Sequence, residues 1–115
     1  MAQYYASTNA IAASAYSVDV TGTTKDLALT DAGTYQACSN GSAQTITILA
    51  EATVAFPIGT MITFGQEGAG LLTITGDTGV TVNGSSGGSV ASNGQYTGMT
   101  LRKSASDTWI VLGGA

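Results

Sequence analysis

The sequence predicts an all-β chain: a compact antiparallel β-sandwich or jelly-roll-like domain over residues 25–115, preceded by an extended N-terminal arm, residues 1–24. Three observations carry this expectation. From residue 25 apolar side chains recur at every second position, the period of a strand with one buried face. The periodic segments are rich in Thr, Val and Ile, whose branched Cβ atoms suit a pleated surface better than a helix. Asn-Gly pairs at 40–41, 83–84 and 93–94 supply residues that accept the positive φ of tight hairpin turns.

Residues 1–24 follow a different pattern. They are rich in Ala, Ser and Thr, carry no charged side chain before Asp19, and show neither a helical stripe nor strict alternation. An uncharged arm that orders against a neighbour fits this mixture, and so does a frayed terminus. Its larger side chains, Tyr4, Tyr5, Ile11 and Tyr16, are the candidate partner contacts, because Tyr offers a large amphipathic area at low entropy cost.

Beyond the arm, Asp26–Thr30 alternates with Leu27 and Leu29 on one face. After the turn Asp31-Ala32-Gly33 comes a short strand, Thr34–Cys38, and then Gln44–Leu49 with Ile46 and Ile48 inward. The stretch FPIGTMITFGQEGAGLLTI, residues 56–74, reads as a hairpin: Ile62 and Phe64 point inward on one strand, Leu72 and Ile74 on the other, with Gly68 and Gly70 in the turn. Val80 and Val82 follow Gly79, and Gln95–Lys103 sets Met99 and Leu101 against Arg102. The last strand, Thr108–Leu112, is apolar on both faces and is therefore expected inside a sheet. Trp109 and Phe64 are the expected core anchors.

Chemistry is scarce. There is no histidine, which removes the commonest general base and the commonest transition-metal ligand. A single cysteine, Cys38, excludes an intrachain disulfide and a CxxC site and reads as a buried small hydrophobe. Gly65–Gly70 lacks the Lys-Ser/Thr of a phosphate-binding loop, and Asp77-Thr78-Gly79 is better explained as a turn than as a protease triplet. No cofactor or metal is expected, and no enzyme. The three basic residues, with a formal net charge of −4, argue against nucleic acid. No apolar run reaches the length of a membrane span, and the N-terminus lacks a signal-peptide pattern, so synthesis in a cytoplasm is expected. Charged residues make up only 9% of the chain, against about 25% in typical domains, which favours packing in an oligomer or larger assembly.

A set of ordered segments adds to this reading. They are Asn40–Ile48, Val54–Thr60, Gly68-Ala69-Gly70 with Leu72-Thr73-Ile74, Gly79–Asn83, Gly94-Gln95-Tyr96, Thr100–Lys103 and Asp107–Val111. Taken together, residues 33–113 resemble a β-module that recurs in tailed-bacteriophage virion proteins: tail fibres, appendages and head decorations. The resemblance implies a non-enzymatic particle component, usually trimeric. In fibres the module belongs to a far longer chain. Here it fills most of a short one, which points to a capsid decoration (cement) protein on the outer head surface. Such a protein clamps neighbouring major capsid protein subunits. The alternative is a tail-fibre tip that recognises host surface polysaccharide, for which exposed aromatics beside loop carboxylates would speak.

Overall fold

The computed structural model describes residues 16–113. Eleven strands and one short 3-10 turn occur among them. They are β1 (Ser17–Val20), β2 (Thr24–Asp26), the turn Leu29–Asp31, β3 (Tyr35–Cys38), β4 (Gln44–Ile48), β5 (Met61–Gln66) and β6 (Leu72–Gly76). The chain continues with β7 (Thr81–Val82), β8 (Ser85–Ser86), β9 (Ser89–Ala91), β10 (Gly98–Ala105) and β11 (Thr108–Gly113). They form two sheets, of order β1-β3-β5-β10-β11-β7-β8 and β9-β6-β4-β2. The all-β class is as the period-two pattern predicts.

The direction of pairing is not. The sequence leads one to expect an antiparallel sandwich, but β1–β3, β3–β5, β2–β4, β4–β6 and β7–β11 run parallel. Only β5–β10, β10–β11, β7–β8 and β6–β9 are antiparallel. The reason is the route of the chain. Through β6 it alternates between the sheets, so successive strands in one sheet are separated by a strand in the other. Parallel neighbours need a long crossover, and here that crossover is a strand. The result is a two-sheeted coil of three turns, closed by the β10–β11 hairpin.

The expected hairpin at residues 56–74 is corrected in the same way. β5 lies in the seven-stranded sheet and β6 in the four-stranded one, so the glycine-rich stretch between them is a corner from sheet to sheet. Its glycines serve close approach. The corner stacks directly on the preceding coil: Glu67 N and Gly68 N donate to Cys38 O (2.8 and 3.1 Å), and Gly70 N donates to Asn40 O (3.0 Å). A Cβ on Gly70 would lie 1.8 Å from Ser42 O, and one on Gly68 would lie 2.4 Å from Asn40 O.

Two further expectations are revised. Leu27 is buried, but Leu29 is exposed, because the chain leaves the strand after Asp26. The buried Asp31 carboxylate pulls it into a 3-10 turn by accepting from Ala28 N (2.9 Å) and pairing with Lys25 Nζ (3.0 Å). Residues 17–20, grouped with the arm from sequence, pair along β3 as an edge strand of this chain's own sheet. The Asn83-Gly84 turn matches its prediction: both residues have positive φ (49° and 84°) and join β7 to β8 in a two-residue hairpin.

One core lies between the sheets. Val20, Cys38, Ile62, Phe64, Met99, Leu101, Trp109 and Val111 face it from the larger sheet, and Ile46, Ile48, Leu72 and Ile74 from the smaller. Trp109 meets Phe56 edge to face, with ring centroids 5.4 Å apart, an arrangement that adds to the burial of both rings. Inward polar groups are satisfied where they enter. Lys103 Nζ bonds Glu51 Oε1 (2.5 Å) and Phe56 O (2.6 Å). Gln44 Nε2 donates to Val20 O and Gly22 O, tying the first coil to the second. On the outside of the smaller sheet, Thr24, Thr45 and Thr73 stand in register, a threonine ladder of the kind that stabilises cross-strand pairs.

Candidate interaction surface

The strand that closes the larger sheet shows where the molecule is unfinished. β11 is an interior strand, as its apolar sequence predicts, yet only one of its faces reaches the core. Trp109 and Val111 are buried, whereas Ile110 is 36% and Leu112 58% exposed. Register extends these positions into rows across the sheet: Met61–Arg102–Ile110, and Tyr35–Thr63–Thr100–Leu112. Met61 is 51% exposed. Among the outward residues of β3, β5, β10 and β11 the only charge is Arg102. This gives a broad, stiff face with little to desolvate, bearing three large apolar side chains.

Adjoining these rows on the same face is a cleft of about 510 Å³ whose lining includes Tyr35, Thr63, Gly65, Glu67, Tyr96 and Gly98. The ring of Tyr35 covers Gly65, where a Cβ would meet its hydroxyl at 1.8 Å. Gly65 pairs with Gly98 on β10, and the Tyr35 phenol takes the space that a side chain on Gly65 would fill. The Tyr35 hydroxyl donates to Glu67 Oε2 (2.7 Å). Burial first, and then the hydrogen bond and charge of Glu67, push the phenol up to about 12, so it stays a donor throughout the physiological range. Tyr96 is 81% exposed and holds a φ of 66°. Its backbone N–H donates to Gln66 O (2.6 Å), and Gln95 Nε2 reaches Glu67 O (3.1 Å), fixing the loop to the β5–β6 corner.

Of the sequence-predicted contact residues, Tyr4, Tyr5 and Ile11 lie outside the described residues. Tyr16 is exposed, and its carbonyl accepts from Tyr35 N (3.0 Å), which places it at the start of β1 along the edge of the larger sheet. Sequence reasoning misses Tyr35, Glu67 and Tyr96 as a group, because β3, the β5–β6 corner and the loop before β10 meet only in the fold. The one local signal is Tyr96 directly after Asn93-Gly94-Gln95, an aromatic at a turn.

Other side chains weighed for chemistry in the sequence have structural roles in the fold. Cys38 is fully buried, and burial raises its thiol to about 11, with Lys25 opposing and Glu67 adding to the shift. Asp77-Thr78-Gly79 forms the turn from β6 to β7: Asp77 Oδ1 accepts from Thr78 N, and Gly79 has φ 86°. Trp109 belongs to the core. Among the described residues no group of three His, Cys, Asp or Glu could hold a metal ion. Compared with family models, curated proteins and solved structures, the chain matches none.

Proposed function

We propose that this protein is a non-enzymatic structural component of a tailed-bacteriophage particle. In this reading it is a trimeric decoration protein that sits on the outer surface of the head and clamps neighbouring major capsid protein subunits. The observation that carries the reading is the outer face of the larger sheet, where Met61 and Ile110 flank Arg102 in one exposed row and Leu112 stands in the next. Such a face suits adhesion to a protein lattice: apolar side chains supply the contact, and strands already fixed in a sheet lose little entropy on docking. The resemblance of residues 33–113 to the phage β-module supports the particle context. Three copies about a symmetry axis would turn three weak contacts into one strong one.

The test is addition of the purified protein to mature empty heads. Saturable binding and a raised head melting temperature are expected, and Leu112→Asp should weaken binding at least tenfold while the isolated domain keeps its melting temperature. Absence of binding to any head lattice at micromolar concentration would refute the proposal. So would a quantitative mass-spectrometric count of only a few copies per particle, which would place the chain on the tail.

A further inference from the structure

We propose that Lys25 and Gln36 join through an intramolecular amide bond, with Asp31 carrying the proton, so that the two sheets are tied covalently at the first coil. This goes beyond the lattice-clamping reading and does not depend on it, since Lys25 and Gln36 point to the core side of their sheets.

The first argument is placement. Lys25 stands beside Ile46 on β4 and Gln36 beside Phe64 on β5, so both side chains enter the space between the sheets. They meet there: Lys25 Nζ donates to Gln36 Oε1 (2.6 Å) and to Asp31 Oδ1 (3.0 Å). The same Asp31 Oδ1 accepts from Gln36 Nε2 (3.1 Å). One carboxylate oxygen therefore touches both the amine and the amide nitrogen. The remaining contacts fix orientation. Thr34 Oγ1 accepts from Gln36 Nε2 (2.7 Å) while donating to Asp31 O (2.6 Å), and Asp31 Oδ2 accepts from Ala28 N (2.9 Å). A lysine ammonium only donates and a carboxylate only accepts, so the amide lies one way round, oxygen to Lys25 and nitrogen to Asp31. Gln36 is fully buried and Asp31 only 5% exposed, which keeps water from competing at the amide carbon.

The second argument is chemistry. Amide exchange needs a primary amine as nucleophile, a carboxamide as electrophile, and a base in contact with both the attacking and the leaving nitrogen. All three are present. With a C=O bond of about 1.23 Å, a nitrogen 2.6 Å from Oε1 lies roughly 3–3.6 Å from the amide carbon, close to the reach of attack. The Lys25 ammonium gives a proton to Asp31 Oδ1, and the freed lone pair attacks Gln36 Cδ. Asp31 passes that proton to Nε2, the Cδ–Nε2 bond breaks, and ammonia leaves with a second amine proton as ammonium. One ammonium and one carboxamide thus become a secondary amide and an ammonium ion, with no co-reactant. The Lys25 side chain is 22% exposed, which gives the product a way out. Holding the groups in contact offsets the slowness of this exchange in water, so the unfolded chain should not react. Lys103 makes the contrast: it too pairs with a carboxylate, Glu51, but its other acceptor is the backbone carbonyl of Phe56. Neither partner is a side-chain amide, and no exchange is expected there. The Lys25–Gln36 bond would anchor β2, the edge strand of the smaller sheet, to β3 of the larger.

The experiment is mass spectrometry of the full chain, incubated folded and then denatured, against a sample kept in denaturant throughout. The folded sample is expected to be lighter by one ammonia. Asn-Gly pairs can also shed ammonia by cyclising, so a peptide map decides: cleavage before aspartate should release residues 19–25 joined to residues 31–76. Lys25→Arg keeps the charge but offers no amine, and Asp31→Asn keeps the shape but cannot take the proton. Neither variant should yield the joined peptides, with circular dichroism confirming that each is folded. Lys25→Arg should also melt about 5 °C or more below the linked parent. Separate peptides from the folded parent, a loss of water joining Lys25 to Asp31 instead, or a link that forms equally in Asp31→Asn would overturn the proposal. Head binding by Lys25→Arg is expected to be unchanged, so failure of the cross-link and failure of the lattice-clamping reading are told apart.

Discussion

Replacing Gly70 by Ala tests the stacking of one coil on the next. The added Cβ would lie 1.8 Å from Ser42 O and 2.2 Å from Ser42 C, both backbone atoms of the preceding corner. An ordinary C···O contact is about 3.3 Å or more, so the corners must part by about 1.5 Å. No side chain can rotate away to absorb this. Separation of that size breaks Gly70 N to Asn40 O and strains Gln44 N to Leu71 O (2.9 Å). Overpacking against rigid neighbours costs about 1–3 kcal/mol, and two backbone hydrogen bonds add about 1 kcal/mol each. The expected loss is therefore about 3–5 kcal/mol, a large share of the stability of a domain this size, with a fall in melting temperature of more than about 10 °C. Gly41 provides the control. It lies in the partner corner, where an added methyl would have nothing within 4 Å, and its φ is not positive. Gly41→Ala should change stability by less than about 0.5 kcal/mol, or raise it slightly through the unfolded chain. Urea unfolding of both variants decides the matter. If Gly70→Ala unfolds within about 1 kcal/mol of Gly41→Ala, the corners are not in contact and the three-turn coil is wrong.

Three other outcomes follow from single groups. Asn83→Ala must hold φ 49° without an amide and loses the bonds between its side chain and Val111 N (2.8 Å) and O (3.3 Å); a cost of about 2–3 kcal/mol is expected, and Asn83→Gly, which keeps the backbone but not the bonds, should lose about half of that. The Cys38 thiol, buried and raised to about 11, should resist an aromatic disulfide reagent at pH 8 and react at a rate that rises with denaturant; prompt labelling of the native protein would contradict its burial. Glu51 is held below its ordinary 4.5 chiefly by the hydrogen bond from Lys103 and then by that from Ser106. A depressed carboxylate contributes stability above its unfolded value and loses it as pH falls through the lower folded one, so Glu51→Gln should be less stable at pH 7 and show a shallower loss in acid, read from melting temperature against pH.

Period-two alternation identifies nearly every inward residue of the later strands, from Ile46 to Val111, because it follows from the pleat itself and holds whichever way neighbouring strands run. The same fact explains what it cannot supply. Ile62 and Leu72 look alike in a hairpin and in two sheets joined by a corner; what separates the two is whether Gly68 and Gly70 meet each other's strand or the backbone of residues 39–42. That contact is between segments some thirty positions apart, and no local signal encodes it. Periodicity misplaces Leu29 because the alternation continues one residue pair beyond the point where Asp31, through Lys25 and Gln36, takes over the chain. The cleft is illegible for a related reason: Tyr35, Glu67 and Tyr96 come from the second coil, the third coil and the loop before β10, and each is ordinary by itself.

The outer faces of the two sheets differ in chemistry. Outside the smaller one, Thr24, Thr45 and Thr73 stand in register, a row of short polar side chains that can be stabilised pairwise across the strands. Such a face is complete as it stands. Outside the larger sheet the corresponding positions on β5 and β11 are Met61, Ile110 and Leu112, and no element of residues 16–113 covers them. Scattered exposed aliphatics are ordinary, but these are aligned by the ladder across β5, β10 and β11, on strands stiffened by hydrogen bonds on both sides. A partner meeting that row gains apolar contact without ordering any loop, whereas a partner meeting the threonine ladder would have to strip water from hydroxyls for little return. The proposed adhesion through the larger sheet would thus draw on the same parallel winding that hides the fold from the sequence. By stacking coil on coil, it fixes the strands on which the β10–β11 hairpin completes the face.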